Sequence, residues 1–576
     1  MIKQLKLEYG TDVVFTYGPL GYLGCTRLPI AVNRWQLFGY DLWLIIQGTV
    51  LIWIVLRKNF TVLNVAAVLL VSTILYNGAG GDPPFLYLYF VLFLLCYHLQ
   101  TRRDVWFFNA LGIAVFAFYV KGNTGLVCLG CLLLYVTYYF IHYRPKARWY
   151  AGMLLAVFLA VSICAYVFNV DLYRYTLANI QLIDSYNDVM RFYNANGERA
   201  LFAALLIVLL YILTLLHLFW GFRKIPGEKT ANYGVIIFFS AVSLFVLFKE
   251  GFVRSDSGHN CLFFKYAFLP LSLLAVFIPH HALQRDISVV ALLVLVSQLL
   301  FVKPAIYFNH PKQLAHYVED VLNPTYSAPD SIRRFPKEWT NRLRRGTVDI
   351  IPYDIASVYL NGLTRAYRPR PVFQSYQVTN HFLDSLNTSF YESSRAPEYI
   401  IYAHQATDNR YPFSEEIGTR LTMLRYYDLV DKAAEESMML KRRTSPKKLD
   451  TVSVSEVESR LQDDIYVPPT STLQLVQIEM NYSLLGRLIR LFFQPPTLTL
   501  ELETADRKWH SYQASTTLLA NGFLANRWVP DTKAFQDFLL SKGNNNQLIR
   551  RFRITTPRWN WALDPSIRIR RTQLSW

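Results

Sequence analysis

The chain has 576 residues, of which 53% are hydrophobic and 15% aromatic, so it is too long for one domain and too apolar for a soluble protein. Its 58 Lys and Arg residues outnumber its 41 Asp and Glu residues and give a formal charge of +17. The sequence contains no zinc-finger spacing, no Walker-type glycine loop and no dinucleotide fingerprint, which argues against nucleotide-driven chemistry. The excess of positive charge favours attraction to anionic lipid over nucleic acid.

Residues 1–35 contain neither an apolar span nor a signal peptide, and we expect them to form an external loop. Either this short basic segment crosses the membrane unaided, or a membrane helix precedes residue 1. We expect the second, because the segment resembles the loop that follows such a helix. Asp12 lies in a stretch rich in aromatic, Gly and Pro residues. A carboxylate in such a partly desolvated loop can accept a proton from a hydroxyl, which makes Asp12 a candidate general base. The alternative is that Asp12 only caps a short helix.

Apolar spans fill residues 36–307, which we predict to form a helical membrane domain of about ten spans. Most are long enough to cross about 30 Å of hydrocarbon, and the shorter ones use flanking aromatic or basic residues. The predicted spans are 36–56, 60–76, 85–100, 105–120, 125–143, 149–169, 199–222, 233–249, 265–279 and 287–307.

Basic residues occupy every second connection between these spans. They are Arg57, Lys58, Arg102, Arg103, Arg144, Lys146, Arg148, Arg223, Lys224, Lys229 and Arg285. The positive-inside rule makes these connections cytoplasmic. The remaining connections, and everything beyond residue 308, are then expected on the outer side of the membrane.

Two single charges lie in connections on the predicted outer side. Lys121 ends an apolar span and either binds a phosphate or snorkels to anchor the helix end. Asp82 precedes two prolines, and it either caps the next helix or helps to hold a metal ion or a donor phosphate.

Residues 170–198 follow an amphipathic pattern. Apolar residues such as Leu177 and Ile180 alternate at helical spacing with charges such as Asp184 and Asp188. The pattern predicts a helix that lies in the outer membrane interface, where such helices can shape a route for lipids. A purely structural helix is the alternative.

A dense group of ionisable residues follows the span 233–249. Its members are Lys249, Arg254, Asp256 and His259. Because charges at bilayer depth are unfavourable without charged partners, such a group is a functional hypothesis. Arg254 would bind a phosphate through two hydrogen bonds, Lys249 would neutralise charge, and His259 would donate a hydrogen bond. The alternative is a salt-bridged loop in which Arg254 pairs with Asp256.

The remainder of the chain is polar and changes its periodicity twice. Residues 308–440 combine short apolar runs, such as Tyr399–Tyr402, with helical patterns, and predict an α/β module. Residues 441–464, rich in Lys, Arg and Ser at their start, predict a linker. Residues 465–576 contain strand-like pieces between Pro, Gly and Asn residues and predict a β-sandwich.

Two groups of residues in these parts could contact a glycan. Arg365, Arg368 and Arg370 alternate with aromatic residues, which suits an anionic glycan or a loop that closes over the membrane site. A Pro-punctuated loop that holds the module together is an equally good account. The other group consists of Trp509, Trp528, Trp559 and Trp561, which either stack on sugar rings or fill the core of the sandwich.

Three phrases carry a resemblance to known proteins. They are Phe15-Thr16-Tyr17-Gly18-Pro19-Leu20-Gly21, Lys249-x-Gly251-Phe252-Val253-Arg254-x-Asp256-x-Gly258-His259 and Arg368-Pro369-Arg370-Pro371-Val372-Phe373-Gln374-Ser375-Tyr376. They look like those of large bacterial membrane proteins. The order of an external Asp-bearing loop, a helical core, a charged outer loop and an external C-terminal domain resembles the GT-C superfamily of polyprenyl-phosphate-sugar-dependent glycosyltransferases.

This resemblance implies an inverting sugar transfer at a bacterial inner membrane. Asp12 would be the base, and Arg254, Lys249 or Lys121 would hold the phosphate of the leaving lipid. Many members of the superfamily carry two acids in the first external loop, whereas this chain offers Asp12 alone. The sequence therefore leaves open which residue is the base and whether a divalent metal ion takes part.

The sequence accordingly predicts a multi-pass α-helical membrane protein, GT-C-like, with an extracytoplasmic α/β module and β-sandwich. Its predicted activity is transfer of a sugar from a polyprenyl-phosphate donor to a glycan or lipid acceptor of the cell envelope. Two alternatives are a transporter or flippase, in which Arg254, Asp256 and His259 line a polar passage, and a non-catalytic envelope assembly protein.

Overall fold

The computed structural model describes residues 2, 5–23, 34–58, 84–143, 147–192, 197–222, 228–278, 281–301, 334–433, 437–543 and 547–575. The predicted span 60–76 and Asp82 lie outside these ranges. The chain divides into two compact units. The helical unit consists of residues 16–168 and 192–327, and the sheet-containing unit consists of residues 1–15, 169–191 and 328–576.

The helical unit consists mainly of apolar helices. They are α1 (Arg34–Lys58), α2 (Pro84–Thr101), α3 (Asp104–Val120), α4 (Gly122–Tyr143) and α5 (Ala147–Phe168). After α6 (Leu172–Met190), which belongs to the other unit, they continue with α7 (Glu198–Phe222), α8 (Glu228–Phe252), α9 (Ser257–Tyr266), α10 (Phe268–Phe277) and α11 (His281–Phe301). Each predicted span within the described residues coincides with one or two of these helices.

Seven stretches within the described residues are long and apolar enough to cross a membrane. They are Trp35–Arg57, Pro84–Thr101, Gly122–Tyr143, Ala151–Phe168, Glu198–Trp220, Thr230–Phe252 and Ser257–Phe277. Two shorter apolar stretches, Asp104–Val120 and Asp286–Gln298, accompany them. Because α2 is apolar on every side, it is buried by its neighbours over nearly its whole length, as expected for a central helix. The chain is a multi-pass membrane protein.

The sheet-containing unit includes an α/β sheet. Its strands are β1 (Val348–Ile351), β2 (Tyr399–Tyr402), β3 (Tyr427–Ala433) and β4 (Ser437–Arg442), in the order β1-β2-β4-β3. The β1 and β2 strands are parallel and fully buried, and the other pairs are antiparallel. The accompanying helices are α12 (Lys337–Leu343), α13 (Ile355–Leu360), α14 (His381–Glu392) and α15 (Ile417–Tyr426). Strand β2 occurs where the sequence predicts an apolar run.

Two four-stranded sheets follow, with the orders β10-β7-β12-β5 and β6-β11-β8-β9. The strands are β5 (Thr451–Arg460), β6 (Ile465–Tyr466), β7 (Leu473–Glu479), β8 (Leu498–Thr504), β9 (Trp509–Ala514), β10 (Phe523–Leu524), β11 (Ile549–Thr555) and β12 (Ser566–Leu574). Helices α16 (Leu484–Phe492), α17 (Thr516–Asn521) and α18 (Thr532–Leu540) lie between them. Alternating residues of both sheets, such as Phe523 and Phe552 with ring centres 5.4 Å apart, belong to one core.

The segment predicted as a linker differs from the expectation. Within 441–464, β5 pairs along its length with β12 as the edge strand of its sheet. Most of its side chains are exposed on both faces, including Val452 and Val454. The polar composition that indicates a linker is therefore that of an exposed edge strand, whose β-branched residues favour the extended backbone.

Helix α6 confirms the helix predicted in 170–198, and its contacts show what its buried face does. Asp171 caps its first turn by accepting a hydrogen bond from the Arg174 N–H. Its residues Ala178 and Leu182 pack in one cluster with Val14 and Val372. This face of α6 therefore joins the first residues of the chain to the C-terminal part within the sheet-containing unit.

Candidate functional site

Asp12 lies in a tight loop of the sheet-containing unit. The Asp12 and Val13 N–H groups both donate to the Glu8 carbonyl, at 2.8 and 3.1 Å. Gly10 adopts a positive φ of 94°, and a Cβ there would lie 2.5 Å from the Tyr175 nitrogen in the first turn of α6. Both observations require glycine. Residues with a side chain rarely adopt this φ, and a Cβ at this position would collide with the backbone of α6. The loop is thereby pressed against α6.

Among the residues that the structure describes, two groups hold the Asp12 carboxylate. Its Oδ2 accepts a hydrogen bond from the Glu8 N–H at 3.1 Å, and its Oδ1 lies 2.7 Å from a guanidinium nitrogen of Arg395. The Asp12 side chain is 21% exposed and the Arg395 side chain 60% exposed. Because an ionised carboxylate has about four acceptor positions, it retains capacity for another donor. The side chain therefore both closes the loop and remains reachable from solvent.

A groove of about 370 Å³ lies beside this loop, wholly within the sheet-containing unit. Its walls are mainly apolar, with Leu177, Phe382 and Leu386 among them. Arg395 and Arg174 supply two positive charges to its lining. The groove thus combines an apolar wall with cationic groups, one of which contacts Asp12.

Lys121 lies at the junction of α3 and α4 in the helical unit. Residues 16–21 of the helical unit pass over this junction, with the Gly18 and Leu20 N–H groups donating to the last carbonyls of α3. The Lys121 ammonium lies 3.4 Å from a Glu250 carboxylate oxygen and 5.5 Å from the centre of the Tyr17 ring. Only 14% of the Lys121 side chain is exposed. A lysine that only snorkels to anchor a helix end does not need the contacts that Lys121 makes with Glu250 and Tyr17.

Arg254, Asp256 and His259 form a cluster where α8 gives way to α9. Nε of Arg254 lies 3.3 Å from Oδ2 of Asp256, and its guanidinium lies 5.3 Å from the centre of the Phe192 ring. Asp256 caps α9 by accepting from the His259 N–H at 3.0 Å, and it also contacts Nδ1 of the same residue at 2.9 Å. This is the salt-bridged loop that the sequence offered as the alternative to a phosphate site.

The cluster alters the acidity of Asp256. Burial raises the pKa of its carboxyl, but the hydrogen bonds from His259 and Arg254 and the nearby positive charge outweigh burial and hold the pKa below the ordinary 3.8. Asp256 is therefore an anion at neutral pH. Lys249, half-buried in the last turn of α8, and Glu250 lie just before this cluster in sequence.

Arg370 does not lie where a ligand could reach it. Its guanidinium is fully buried, 3.4 Å from Asp349 and 3.4 Å from Glu416, and donates to the Ile350 and Pro352 carbonyls at 2.9 Å. The expectation that Arg370 contacts a glycan is therefore wrong, because the side chain is buried. Its contacts instead hold the loop against β1 and Glu416, as the alternative predicts.

Arg368 and Arg365, by contrast, are exposed on the same loop. The Arg368 guanidinium donates to the Tyr367 carbonyl at 2.8 Å. Both side chains could still meet an anionic ligand.

A second cavity, of about 650 Å³, lies among the C-terminal strands. Its lining includes Arg507, Arg527, Arg550 and Arg551. Positive charge therefore dominates it.

The predicted sugar-stacking tryptophans differ in their contacts. Trp509 lies against the guanidinium groups of Arg551 and Arg553, at 5.0 and 4.4 Å. Trp528 stacks on His510 at 4.1 Å, so Trp509 and Trp528 both make contacts inside the fold. Trp561 is exposed.

Within the described ranges, no group of three or more His, Cys, Asp or Glu side chains is arranged to hold a metal ion. Asp82, the residue proposed for a metal or donor phosphate, lies outside those ranges.

The predicted site residues fall in both units. Asp12 belongs to the sheet-containing unit, and Lys121, Lys249, Arg254, Asp256 and His259 belong to the helical unit. Sequence reasoning assigned no role to Glu250 or to Arg395. Glu250 lies inside a quoted phrase, so its charge was a usable signal, whereas Arg395 is 383 residues from Asp12 and gave none.

These observations define a class of protein, a multi-pass membrane protein with a unit of α/β and β-rich sheets. No model of a known protein family and no curated protein sequence matches the chain. Among solved structures, the chain is similar to the arabinosyltransferase EmbB from Mycobacterium smegmatis, with 10% sequence identity and a TM-score of 0.20. The likeness covers 93% of this chain and 57% of that protein, so the chain spans little more than half of its length. A TM-score of this size identifies neither a shared fold nor a shared activity.

Proposed function

We propose that the protein is a membrane glycosyltransferase that moves a sugar from a polyprenyl-phosphate donor to a glycan or lipid acceptor of the cell envelope. The observation that carries the proposal is the Asp12 carboxylate, held by the Glu8 N–H and Arg395 beside a groove with apolar and cationic walls. An acceptor needs such a groove to align its hydroxyl with a base. We place the reaction on the outer face of a bacterial inner membrane, following the distribution of basic loops.

In the proposed reaction, Asp12 takes the proton of the acceptor hydroxyl as its oxygen attacks the anomeric carbon of the sugar. The bond from that carbon to the phosphate oxygen breaks, and the lipid phosphate leaves with the bonding electrons. Attack from the face opposite the leaving group inverts the anomeric carbon. Arg254, Lys249 and Lys121 are the residues we assign to the phosphate, whose negative charge they would stabilise.

The assignment of Asp12 is tested by Asp12→Asn in membranes supplied with labelled polyprenyl-phosphate sugars. The amide keeps the size of the side chain but is no general base, so we expect transfer to fall by about 100-fold or more. Asp531→Asn is the matched control, because Asp531 caps α18 in the same unit and asparagine caps equally well. Transfer by Asp12→Asn at the rate of the control, with both proteins folded, would remove Asp12 from the mechanism.

The phosphate assignment has its own test. Arg254→Gln and Lys121→Met should each raise the KM for the lipid-linked donor, by about tenfold, because each removes one charged contact. Arg57→Gln, an exposed arginine at the end of α1, is the control. An unchanged KM in both variants contradicts the assignment without touching that of Asp12.

The basic cavity favours a second candidate function, that of a non-catalytic assembly protein that binds an anionic envelope glycan. Arg507 and Arg550 line the cavity and are exposed. The double variant Arg507→Gln and Arg550→Gln should then weaken glycan binding to the full chain, while Asp12→Asn should not. Loss of sugar transfer in Asp12→Asn decides for the transferase.

A further inference from the structure

Helix α16, between β7 and β8, presents an apolar face to the outside of the sheet-containing unit. Its exposed residues are Leu484, Leu485, Leu488, Leu491 and Phe492, and Leu484 is 80% exposed. Their spacing of one, four, seven and eight residues puts them on one side of a helix. Five large apolar side chains on a nine-residue helix form a concentrated patch, and exposure of such a patch to water is unfavourable.

The opposite side of α16 is seated firmly on the fold. A Cβ at Gly486 would lie 1.9 Å from the Ala562 carbonyl oxygen, so the helix backbone lies directly on that of the turn Asn560–Ala562. Ser483 caps the helix by accepting a hydrogen bond from the Gly486 N–H at 3.0 Å. These contacts fix the rotation of the helix and hold the leucine face outward.

The surroundings of the patch have the composition of a lipid headgroup region. Trp561, 46% exposed, lies in the turn on which the helix rests. Arg487 on the helix and Arg558 next to the turn are also exposed. Tryptophan favours the membrane interface, and arginine extends its charge to anionic headgroups.

An ion pair and two short chain links connect α16, through α6, to candidate membrane spans. Nε of Arg490 donates to the Asp188 carboxylate at 2.8 Å, which ties α16 to the last turn of α6. Helix α6 begins at Leu172, just after the candidate span that ends at Phe168, and ends at Met190, shortly before the span that begins at Glu198. Links of this length reach at most about 30 Å, because a residue extends the chain by about 3.5 Å. Both ends of α6 are therefore tethered by short links to candidate membrane spans.

We propose that the leucine face of α16, together with Trp561, inserts into the interfacial layer of the lipid bilayer. It would act as a monotopic attachment of the sheet-containing unit, additional to the candidate spans. The ligand is a lipid surface: acyl chains meet the leucines, and anionic headgroups meet Arg487.

Photo-crosslinking of the full chain in nanodiscs tests this attachment. The nanodiscs contain phosphatidylethanolamine and phosphatidylglycerol, and p-benzoylphenylalanine replaces Leu488 or Leu491. Leu540 is the matched control site, since it is an exposed leucine on α18 of the same unit. We expect lipid adducts, detected by mass spectrometry, at least tenfold above those of the control site. Adducts at the control level, or adducts to a second copy of the chain instead of lipid, overturn the proposal.

Hydrogen exchange gives a second measurement that needs no substitution. We expect the amides of α16 to exchange more slowly in nanodiscs than in a polymer belt without a bilayer, by about tenfold. Those of α18 should exchange equally in both. Equal exchange of α16 in the two preparations contradicts insertion.

Discussion

The Arg395 guanidinium lies 2.7 Å from Oδ1 of Asp12, although 383 residues separate the two in sequence. The pair fixes the carboxylate on one side, while the Glu8 N–H fixes it on the other. Since the Arg395 side chain is 60% exposed, the pair contributes at most about 1 kcal/mol to stability. Its effect on the proposed reaction is positional.

We therefore expect Arg395→Gln to leave the unfolding temperature nearly unchanged and to lower the rate of sugar transfer by about tenfold, because the base is less well oriented. The rate is measured with labelled lipid-linked sugar. Arg395→Lys, which keeps the charge, should recover part of the loss. A variant with lower stability and unaltered transfer would show that the pair is structural alone.

We predict very different losses of stability for substitutions of Arg370 and Arg368, although the two residues lie two positions apart. Arg370→Met would leave Asp349 and Glu416 buried without their guanidinium partner, at a cost of about 3–5 kcal/mol. Arg368→Met removes two hydrogen bonds from an exposed side chain to the nearby Arg365 and Tyr367 carbonyls, so we expect a change within about 0.5 kcal/mol. Unfolding of the full chain, followed by limited proteolysis of the C-terminal part, distinguishes them. Equal stability of the two variants would contradict the role given to Arg370.

The difference between these two arginines shows which features of the protein a sequence can predict and which it cannot. Hydropathy places the helices well, because each span must be apolar along its own length, and strands such as β7 and β12 follow local alternation. Whether Arg370 is buried depends on Asp349 and Glu416, which come from other elements. No local pattern specifies such partners.

The candidate site shows the same limit. The sequence predicts the Arg254–Asp256 pair as an alternative because the residues are neighbours in sequence. It does not predict the pairs Asp12–Arg395 and Lys121–Glu250, whose members are far apart in sequence. The β5 strand was missed for a related reason: its side chains stay exposed, so its composition resembles a linker, and only pairing with β12 makes it a strand.

The lowered pKa of Asp256 predicts that the stability of the protein depends on pH. Its pKa in the folded protein lies below the ordinary 3.8, so the ionised carboxylate favours the folded state. This contribution is fully present above about pH 4–5 and is lost as the pH falls through the folded-state pKa. We expect the unfolding temperature of the parent protein to exceed that of Asp256→Asn at pH 6, and the difference to shrink towards pH 3.

The choice of asparagine isolates the charge, because asparagine still caps α9. Asp531→Asn supplies the comparison, since Asp531 caps α18 through the same kind of hydrogen bond, at 2.8 Å from the Ala534 nitrogen. Any change in cap strength when asparagine replaces aspartate is therefore common to both variants. A difference for Asp256→Asn that grows as the pH falls would reverse the sign of the argument.

Gly125 and Gly130 lie on the same helix, α4, and differ in what surrounds them. A Cβ at Gly125 would lie 2.0 Å from the Phe118 Cα of α3, whereas a Cβ at Gly130 meets nothing within 4 Å. Gly125→Ala must therefore separate two helix backbones, which small residues allow to approach in membranes, and we expect a loss of about 1–3 kcal/mol. Gly130→Ala should be neutral or slightly stabilising, because alanine favours the helix by about 1 kcal/mol over glycine. Cys128 and Cys131 are buried on the same helix, so their reaction with a thiol dye on heating reports the unfolding temperature. Exposure of these thiols at the same temperature in both variants would mean that α3 and α4 do not pack through Gly125.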